Sequence, residues 1–157
     1  MTHPNDELIQ RFYDAFGRGD GDTMAACYAP DARFHDPVFG DLNGTQAGDM
    51  WRMLTGRAKD LRIELVEHSA NDAGGAAHWR AYYTFAQTNR KVVNDIQATF
   101  RFRDGLITEH VDRFSFWAWS RQALGPIGML LGWNPVVRSS TSRKAREGLE
   151  QFQATQR

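Results

Sequence analysis

The stretch that decides the fold is residues 91–119, which read KVVNDIQATFRFRDGLITEHVDRFSFWAW. Apolar and polar residues alternate on both sides of Arg103-Asp104-Gly105, a sequence typical of a tight turn. The alternation predicts two adjacent antiparallel strands, over 91–103 and 105–119. Side chains along a strand point alternately to opposite faces. One face of the second strand therefore carries His110, Asp112, Phe114 and Phe116, and the other carries Glu109, Val111, Arg113 and Ser115.

Two more period-two stretches precede this pair, over 61–67 and 76–87. Turn residues at Ala73-Gly74-Gly75 separate them, and the linkers between all four predicted strands are too short for crossover helices. The sheet is therefore predicted to be mainly antiparallel.

Helices are predicted before and after these strands. Apolar residues at three- and four-residue steps predict a helix over 5–16. Asp22 is the expected cap of a short helix with Met24, Cys27 and Tyr28 on its inner face, ended by Ala29-Pro30. A short edge strand follows over 33–38, and then a helix from a Thr45 cap to Arg57. Two further helices are predicted, over 121–131 and 142–152. This order predicts an α+β domain in which a curved sheet wraps around packed helices.

Size and composition place the chain among ordinary globular domains. Its 157 residues are 41% hydrophobic, which predicts one domain over 1–157, with 120–157 as a helical C-terminal extension. Nineteen basic residues balance nineteen acidic ones, so neither nucleic acid nor a membrane surface is an expected partner. The single cysteine, Cys27, excludes an internal disulfide and favours the cytoplasm. Glycines and Pro126 interrupt the longest apolar stretch, 125–133, which is too short to span a membrane.

The string YAPDARFHDPV at 28–38, together with this order of elements, resembles the nuclear transport factor 2-like superfamily. That superfamily includes ketosteroid isomerases, limonene epoxide hydrolases and SnoaL-like polyketide cyclases. The resemblance to ketosteroid isomerases runs without gaps over 8–38 and 90–102, and it covers most of 8–117. The C-terminal forty residues have no counterpart in the small isomerases and resemble those of a bacterial branch of the superfamily. The resemblance implies a cone-shaped curved antiparallel sheet around the N-terminal helices, with extra C-terminal helices.

The resemblance also suggests where chemistry takes place. Asp36 stands at the position of the isomerases' catalytic base, in a matching Asp-Pro-Val. Phe12 and Ala98 stand where those enzymes have the tyrosine and the aspartic acid that hold the enolate oxygen, so both donors are missing. Steroid isomerisation by that mechanism is therefore not expected. Tyr13 and Tyr83 are alternative sources of a hydroxyl group.

Asp112 matches a catalytic aspartate of limonene epoxide hydrolases. The arginine-x-aspartate pair of those enzymes lies in the region of His78-Trp79-Arg80, where no aspartate matches. His110 and Asp112 are two apart on one strand face, so their side chains are expected to be neighbours. They are predicted to act as an acid/base pair, and a buried ion pair that anchors the strand is the structural alternative. The alternative for Asp36 is a turn role, since Asp-Pro is common turn chemistry.

The resemblance implies that one set of aromatic side chains faces the interior of the cone. Such a cavity suits a mostly apolar ligand with one or two oxygens, and Asn94 offers it a hydrogen bond. Simple filling of the core is the structural alternative for any one of these residues. The predicted substrate-binding residues are Phe12, Trp51, Trp79, Tyr83, Phe85, Asn94, Ala98, Phe100 and Phe114.

A metal site is the alternative use of His35, Asp36, His110 and Asp112, since histidine and carboxylate side chains are common metal ligands. Adjacent His35 and Asp36 point to opposite faces if extended, so no metal is expected. No phosphate loop, nucleophile elbow or catalytic Cys-His pair is apparent, and no cofactor is expected.

These patterns predict a homodimer, paired through the outer face of the sheet. It is predicted to be a cofactor-free acid/base enzyme of the isomerase, cyclase or epoxide hydrolase type. Asp36 and Asp112 are expected to move protons on a small, largely apolar carbonyl or epoxide compound, with His110 orienting Asp112. The alternative function is a domain of the same fold that binds a small molecule or another protein without catalysis.

Overall fold

The computed structural model describes residues 2–57, 59–126 and 135–156. The helices are α1 (Pro4–Gly17), α2 (Gly21–Ala26), α3 (Gly44–Arg57), α4 (Phe116–Leu124) and α5 (Pro135–Thr155). The strands are β1 (Tyr28–Asp36), β2 (Gly40–Asn43), β3 (Arg62–Ala70), β4 (Gly75–Phe85), β5 (Arg90–Arg103) and β6 (Leu106–Arg113).

The six strands form one sheet in the order β2-β1-β6-β5-β4-β3. Neighbouring strands are antiparallel except β1 and β6, which run parallel. The register shifts at Val66 of β3 and at Thr108 of β6, each an extra residue opposite the neighbouring strand, and such bulges bend a sheet. This open, curved sheet with helices packed against it confirms the predicted α+β class.

Helix α1 fills the inner face of the sheet because its apolar residues lie on one side. Its buried residues are Leu8, Ile9, Phe12, Tyr13, Ala15 and Phe16, as the three- and four-residue spacing predicted. Helix α3 adds Trp51, whose ring packs edge-on against those of Phe12 and Phe34. The space between the inner face of the sheet and helices α1 and α3 is called the cone below.

Strand β1 differs from its predicted form. It begins at Tyr28 rather than at residue 33, and β2, which the sequence did not reveal, pairs with it. The predicted edge position is therefore wrong, since β1 lies between β2 and β6. The register with β6 shifts between Tyr28 and Arg33, and this irregularity accommodates Pro30, which has no N–H for the ladder. The prediction of Tyr28 on a helix is also wrong, because α2 ends at Ala26 and Tyr28 begins β1.

The last strand is shorter than predicted. It ends at Arg113, and Phe116 belongs to α4 rather than to a strand face. The Ser115 hydroxyl accepts a hydrogen bond from the Ala118 backbone N–H at 3.1 Å, which caps the helix and ends the extended backbone. The predicted helix over 121–131 therefore starts earlier, and its residues 127–131 lie outside the described residues, as does most of the glycine-containing stretch up to 133.

Two helix caps also differ from those predicted. Asp20, not Asp22, caps α2 by accepting from the Thr23 backbone N–H at 3.0 Å, and α2 ends at Ala26. Asn43, not Thr45, caps α3: its side chain accepts from the Gln46 N–H, and the Gln46 side chain accepts from the Asn43 N–H, both at 2.9 Å. This is a reciprocal capping box.

Helix α5 is longer than the predicted 142–152 and is part of the core through Leu149, which is 2% exposed. Its Gln153 side chain donates to the Asp49 carboxylate on α3 at 3.0 Å. Among the helices that the structure describes, none has the length and apolar character needed to cross a membrane.

Candidate active site

Two carboxyl groups stand at the ends of the neighbouring parallel strands β1 and β6. Phe34 pairs with His110 and His35 with Val111, so Asp36 and Asp112 come next on the two strands. Parallel strands share their direction and alternate their faces in step, so both carboxyl groups point into the cone with Phe34 and His110. Neighbouring strands are only about 4.8 Å apart. The electrostatic effect of Asp112 on Asp36 agrees with this placement.

Asp112 ends a chain of buried hydrogen bonds. Trp51 Nε1 lies 2.9 Å from Tyr28 Oη, which lies 2.7 Å from His110 Nδ1. His110 Nε2 lies 2.9 Å from Asp112 Oδ1. His110 is 0% and Asp112 3% exposed. The structure thus brings His110 and Asp112 into contact, as their spacing on one strand predicted.

The chemistry of tryptophan sets the direction of this chain. Its indole N–H can only donate, so Tyr28 Oη accepts from Trp51 and its own proton goes to His110 Nδ1. His110 then carries its proton on Nε2 and donates it to Asp112 Oδ1. Every donor in this series of hydrogen bonds points toward the Asp112 carboxylate, and the bond from His110 to Oδ1 fixes the orientation of that carboxylate.

Asp36 has a different environment. Its Oδ1 accepts backbone hydrogen bonds from Val38 at 2.9 Å and from Phe39 at 2.5 Å, so it does close the turn after β1. Burial nevertheless raises the pKa of Asp36 from its ordinary value of 3.8 to about 7. The two backbone bonds oppose this rise, and the negative charge of Asp112 adds to it. Asp36 can therefore hold a proton near neutral pH.

Two tyrosine hydroxyls lie near these carboxyl groups. Tyr83 Oη accepts from Trp119 Nε1 at 2.7 Å, and burial raises the Tyr83 pKa, with a further rise from the charge of Asp36. Burial likewise raises the pKa of Tyr13, and the charge of Asp112 adds to that rise. Tyr13 Oη is buried and has no hydrogen-bond partner among the described residues.

Eight of the predicted substrate-binding residues divide into two groups, and Asn94 belongs to neither. Phe12, Trp51, Trp79, Ala98 and Phe100 are buried within the main hydrophobic core, and the rings of Phe12, Trp51 and Phe100 pack against His110. Asn94 is 8% exposed, and its side chain makes no hydrogen bond to any described residue. Tyr83, Phe85 and Phe114 are half-buried and pack against a second cluster formed with α4. The floor of the cone is therefore filled by its own aromatic rings, and partly accessible side chains lie toward α4.

Tyr28 is the site residue that sequence reasoning missed. Its position beside Cys27 at the end of α2 gave a helical assignment, which hid its place on the inner face of β1. The strand alternates regularly only from Ala32 onward, and the irregularity between Tyr28 and Arg33 breaks the period, so the sequence carried no periodic signal that placed Tyr28 on this face.

The metal alternative finds no support in the side-chain positions. His35 is exposed, and its Nδ1 pairs with Asp41 at 2.8 Å on the side of the sheet opposite His110. In the described ranges, no three His, Cys, Asp or Glu side chains converge on one point.

Comparisons with known proteins bear on the fold. No curated protein has significant sequence similarity to this chain. A hypothetical protein of ketosteroid isomerase-like fold from Catenulispora acidiphila, in complex with trimethylamine, gives a TM-score of 0.67 at 12% identity, over 76% of this chain and 94% of that one. An LEH-like epoxide hydrolase from M. tuberculosis gives 0.64 at 19% identity, over 87% and 96% of the two chains.

A third solved structure is that of IdmH from Streptomyces antibioticus, a candidate polyketide cyclase. It gives a TM-score of 0.61 at 21% identity, over 74% of this chain and 96% of that one. Similarity at these identities concerns the fold, which hosts several activities. The sequence profile of the SnoaL-like domain matches residues 9–110, which is more than half of the chain. The protein whose β1 and β6 bring Asp36 and Asp112 together is therefore a member of the SnoaL-like domain family.

Proposed function

We propose that this protein is a cofactor-independent acid/base enzyme that acts on a small, largely apolar carbonyl or epoxide compound in the cone. The single observation that carries the proposal is the contrast between two adjacent carboxyl groups. Asp36 has a pKa raised to about 7, whereas Asp112 accepts a hydrogen bond from His110 at the end of a directed chain. Neighbouring carboxyl groups in unlike environments are suited to act as an acid and a base.

In this proposal Asp112 is the base. His110 holds Oδ1, and Oδ2 has no hydrogen-bond partner among the described residues, so it is the oxygen that takes the proton. His110 and Tyr28 are positioning residues, because they fix the carboxylate without touching the substrate. Asp36 is the acid, since a carboxylic acid with a pKa of about 7 keeps its proton in slightly acidic solution and can release it to a substrate oxygen.

The two substrate classes use these groups in parallel ways. With a carbonyl compound, Asp112 takes a proton from the carbon beside the carbonyl, and Asp36 gives its proton to the oxygen to form an enol. With an epoxide, Asp112 takes a proton from water, the water oxygen bonds to a ring carbon, and the ring C–O bond breaks. Asp36 then protonates the released oxygen, and the product is a diol. The epoxide hydrolase and the candidate cyclase of similar fold support both classes.

Substrate binding is proposed at the part of the cone toward α4. Asn94 is the proposed hydrogen-bond donor, and Tyr83, Phe85 and Phe114 are the proposed apolar walls. Phe12, Trp51, Trp79, Ala98 and Phe100 are proposed to form the floor beneath the substrate. The apolar lining favours a ligand with few polar atoms.

Isotope incorporation tests this function with simple model substrates. A panel of apolar ketones is incubated with the protein in deuterium oxide, and a panel of apolar epoxides in water enriched in the heavy oxygen isotope. We expect deuterium in a ketone or heavy oxygen in a diol, and we expect at least a hundredfold loss in Asp36→Asn and in Asp112→Asn. Incorporation that both variants retain would remove these residues from the mechanism.

A second candidate function, ligand binding without chemistry, is favoured by one specific observation. Phe12 and Ala98 occupy the positions at which the similar ketosteroid isomerases have donors to the substrate oxygen, and both are buried in the core. If members of the panel bind but no label enters them in the wild-type protein, this candidate replaces the enzyme.

The outer face of the sheet is proposed to pair two copies of the chain. It exposes Val66 and Val93, each 44% accessible, among charged residues. Part of that charge is already matched within the chain, since Arg80 bridges Glu64 and Asp95. Apolar contact is therefore proposed to contribute more to the stability of the dimer than new ion pairs do. Sedimentation analysis tests the proposal by measuring whether the protein has the mass of two chains.

A further inference from the structure

The core contains polar side-chain atoms that make no hydrogen bond to any described residue. Among the described residues, three buried side-chain atoms lack a hydrogen-bond partner: Tyr13 Oη, Trp79 Nε1 and Ser120 Oγ. The rings of Tyr13 and Trp79 are in contact, with centroids 5.4 Å apart and planes inclined at 47°. Ser120 lies on α4 and is not part of this contact.

An unpaired donor in the core is costly. It has lost its hydrogen bonds to water and has gained none in return, so proteins seldom keep such groups without a use for them. Two in one contact, one from α1 and one from β4, are harder to attribute to imperfect packing. The indole N–H only donates, and a buried phenol beside carboxylate Asp112 retains its proton. The missing partner is therefore an acceptor.

Tyr28 provides the contrast. It is buried in the same aromatic core, and Phe12 packs edge-on against both tyrosines. The Tyr28 hydroxyl accepts from Trp51 and donates to His110, so both of its hydrogen-bonding roles are filled. Local burial alone does not leave a tyrosine hydroxyl unpaired in this core.

We propose that Tyr13 Oη and Trp79 Nε1 bind the oxygen of the substrate, and that this oxygen is an acceptor without a proton, as in a ketone or an epoxide. The two donors take the place of those that are missing at Phe12 and Ala98. This inference rests on the proposed function for the class of its substrate. The two sites are connected through Tyr13, which interacts electrostatically with the proposed base Asp112. It adds the part of the site that recognises the ligand.

The binding test uses two probes that differ only at the oxygen. α-Tetralone carries a carbonyl oxygen, and tetralin is the same bicyclic frame with a methylene group in its place. We expect the wild-type protein to prefer the ketone. Tyr13→Phe should weaken ketone binding about 3- to 10-fold, the value of one neutral hydrogen bond, and leave tetralin binding unchanged. In the wild-type protein, the Trp79 indole N–H signal should move downfield with the ketone only.

Thermal unfolding without ligand supplies a second, independent measurement. Tyr13→Phe removes an unpaired hydroxyl, so its unfolding midpoint should equal or exceed that of the wild-type protein. The matched control is Tyr28→Phe, which strands Trp51 Nε1 and His110 Nδ1 and should lower the midpoint by several degrees.

Two outcomes would overturn the inference. One is equal binding of ketone and hydrocarbon by the wild-type protein, and the other is a loss of stability in Tyr13→Phe as large as in Tyr28→Phe. The binding preference is measured without turnover. A Tyr13-dependent preference for the ketone without isotope incorporation would therefore uphold this subsite and reject the proposed catalysis.

Discussion

At the scale of single residues, Asp36 and Asp112 show how one strand end can hold two unlike carboxyl groups. Asp112 receives a hydrogen bond from His110, whereas Asp36 is half-buried and receives only backbone bonds. The sequence allowed the pairing of His110 with Asp112 to be predicted, because two residues on one strand face are neighbours. It could not reveal Tyr28, because that contact joins residues 82 positions apart.

The raised pKa of Asp36 predicts a pH-dependent stability. The folded state binds the proton more tightly than the unfolded state, so the stabilisation is complete below the ordinary value of 3.8 and is lost as pH rises through about 7. Asp36→Asn stays neutral and can still accept both backbone bonds. In urea unfolding it should exceed the wild-type protein by about 4 kcal/mol at about pH 8 and match it near pH 4.

The exposed Asp14→Asn is the matched control, and it should show no such gain with pH. Equal stability of Asp36→Asn and the wild-type protein at both pH values would mean that Asp36 ionises freely in the folded state.

At the scale of elements, strands were predicted better than helix ends. The alternation in β3 to β6 identified all four strands, because apolar residues repeat at every second position, as the buried face of β5 shows most clearly. The same alternation misled at Phe114 and Phe116, whose spacing suits a strand although Ser115 starts a helix between them. Strand β2 has only four residues, too few for a period to show.

The start of α3 gives a test at this scale, and it matters because α3 carries Trp51. Asn43 takes part in the reciprocal capping box, whereas Thr45 is exposed in the first turn. Asn43→Ala should lower the free energy of unfolding by about 1 kcal/mol in urea. Thr45→Ala is the control and should cost a few tenths of that. A larger loss of stability in Thr45→Ala than in Asn43→Ala would mean that Thr45 is the cap, as the sequence had suggested.

At the scale of the whole molecule, the C-terminal extension is built into the domain rather than appended to it. Leu149 of α5 lies in the main core, and Arg146 Nη1 donates to the Phe39 carbonyl at 3.5 Å, beside the turn that Asp36 closes. Helix α4 supplies Trp119, which holds Tyr83. The sequence predicted these helices but not where they pack, because an amphipathic pattern shows which face is buried but not which element covers it.

Truncation of a core side chain on α5 tests this integration. Leu149→Ala should lower the free energy of unfolding by about 2 to 4 kcal/mol in a single cooperative transition, since it opens a cavity in the main core. Val136→Ala, on the same helix and 74% exposed, should change it by less than about 0.5 kcal/mol. A small effect of Leu149→Ala, or a separate early transition, would show that α5 is not part of the core.

The most direct test of the acid/base pair is a carbon NMR titration of the Asp36 carboxyl group in the wild-type protein and in Asp112→Asn. We predict a midpoint of about 7 in the wild-type protein, and a lower midpoint in the variant because it lacks the neighbouring charge. A wild-type midpoint near the ordinary 3.8, or a midpoint that is unchanged by the substitution, would contradict the pairing of Asp36 with Asp112 on which the proposed function rests.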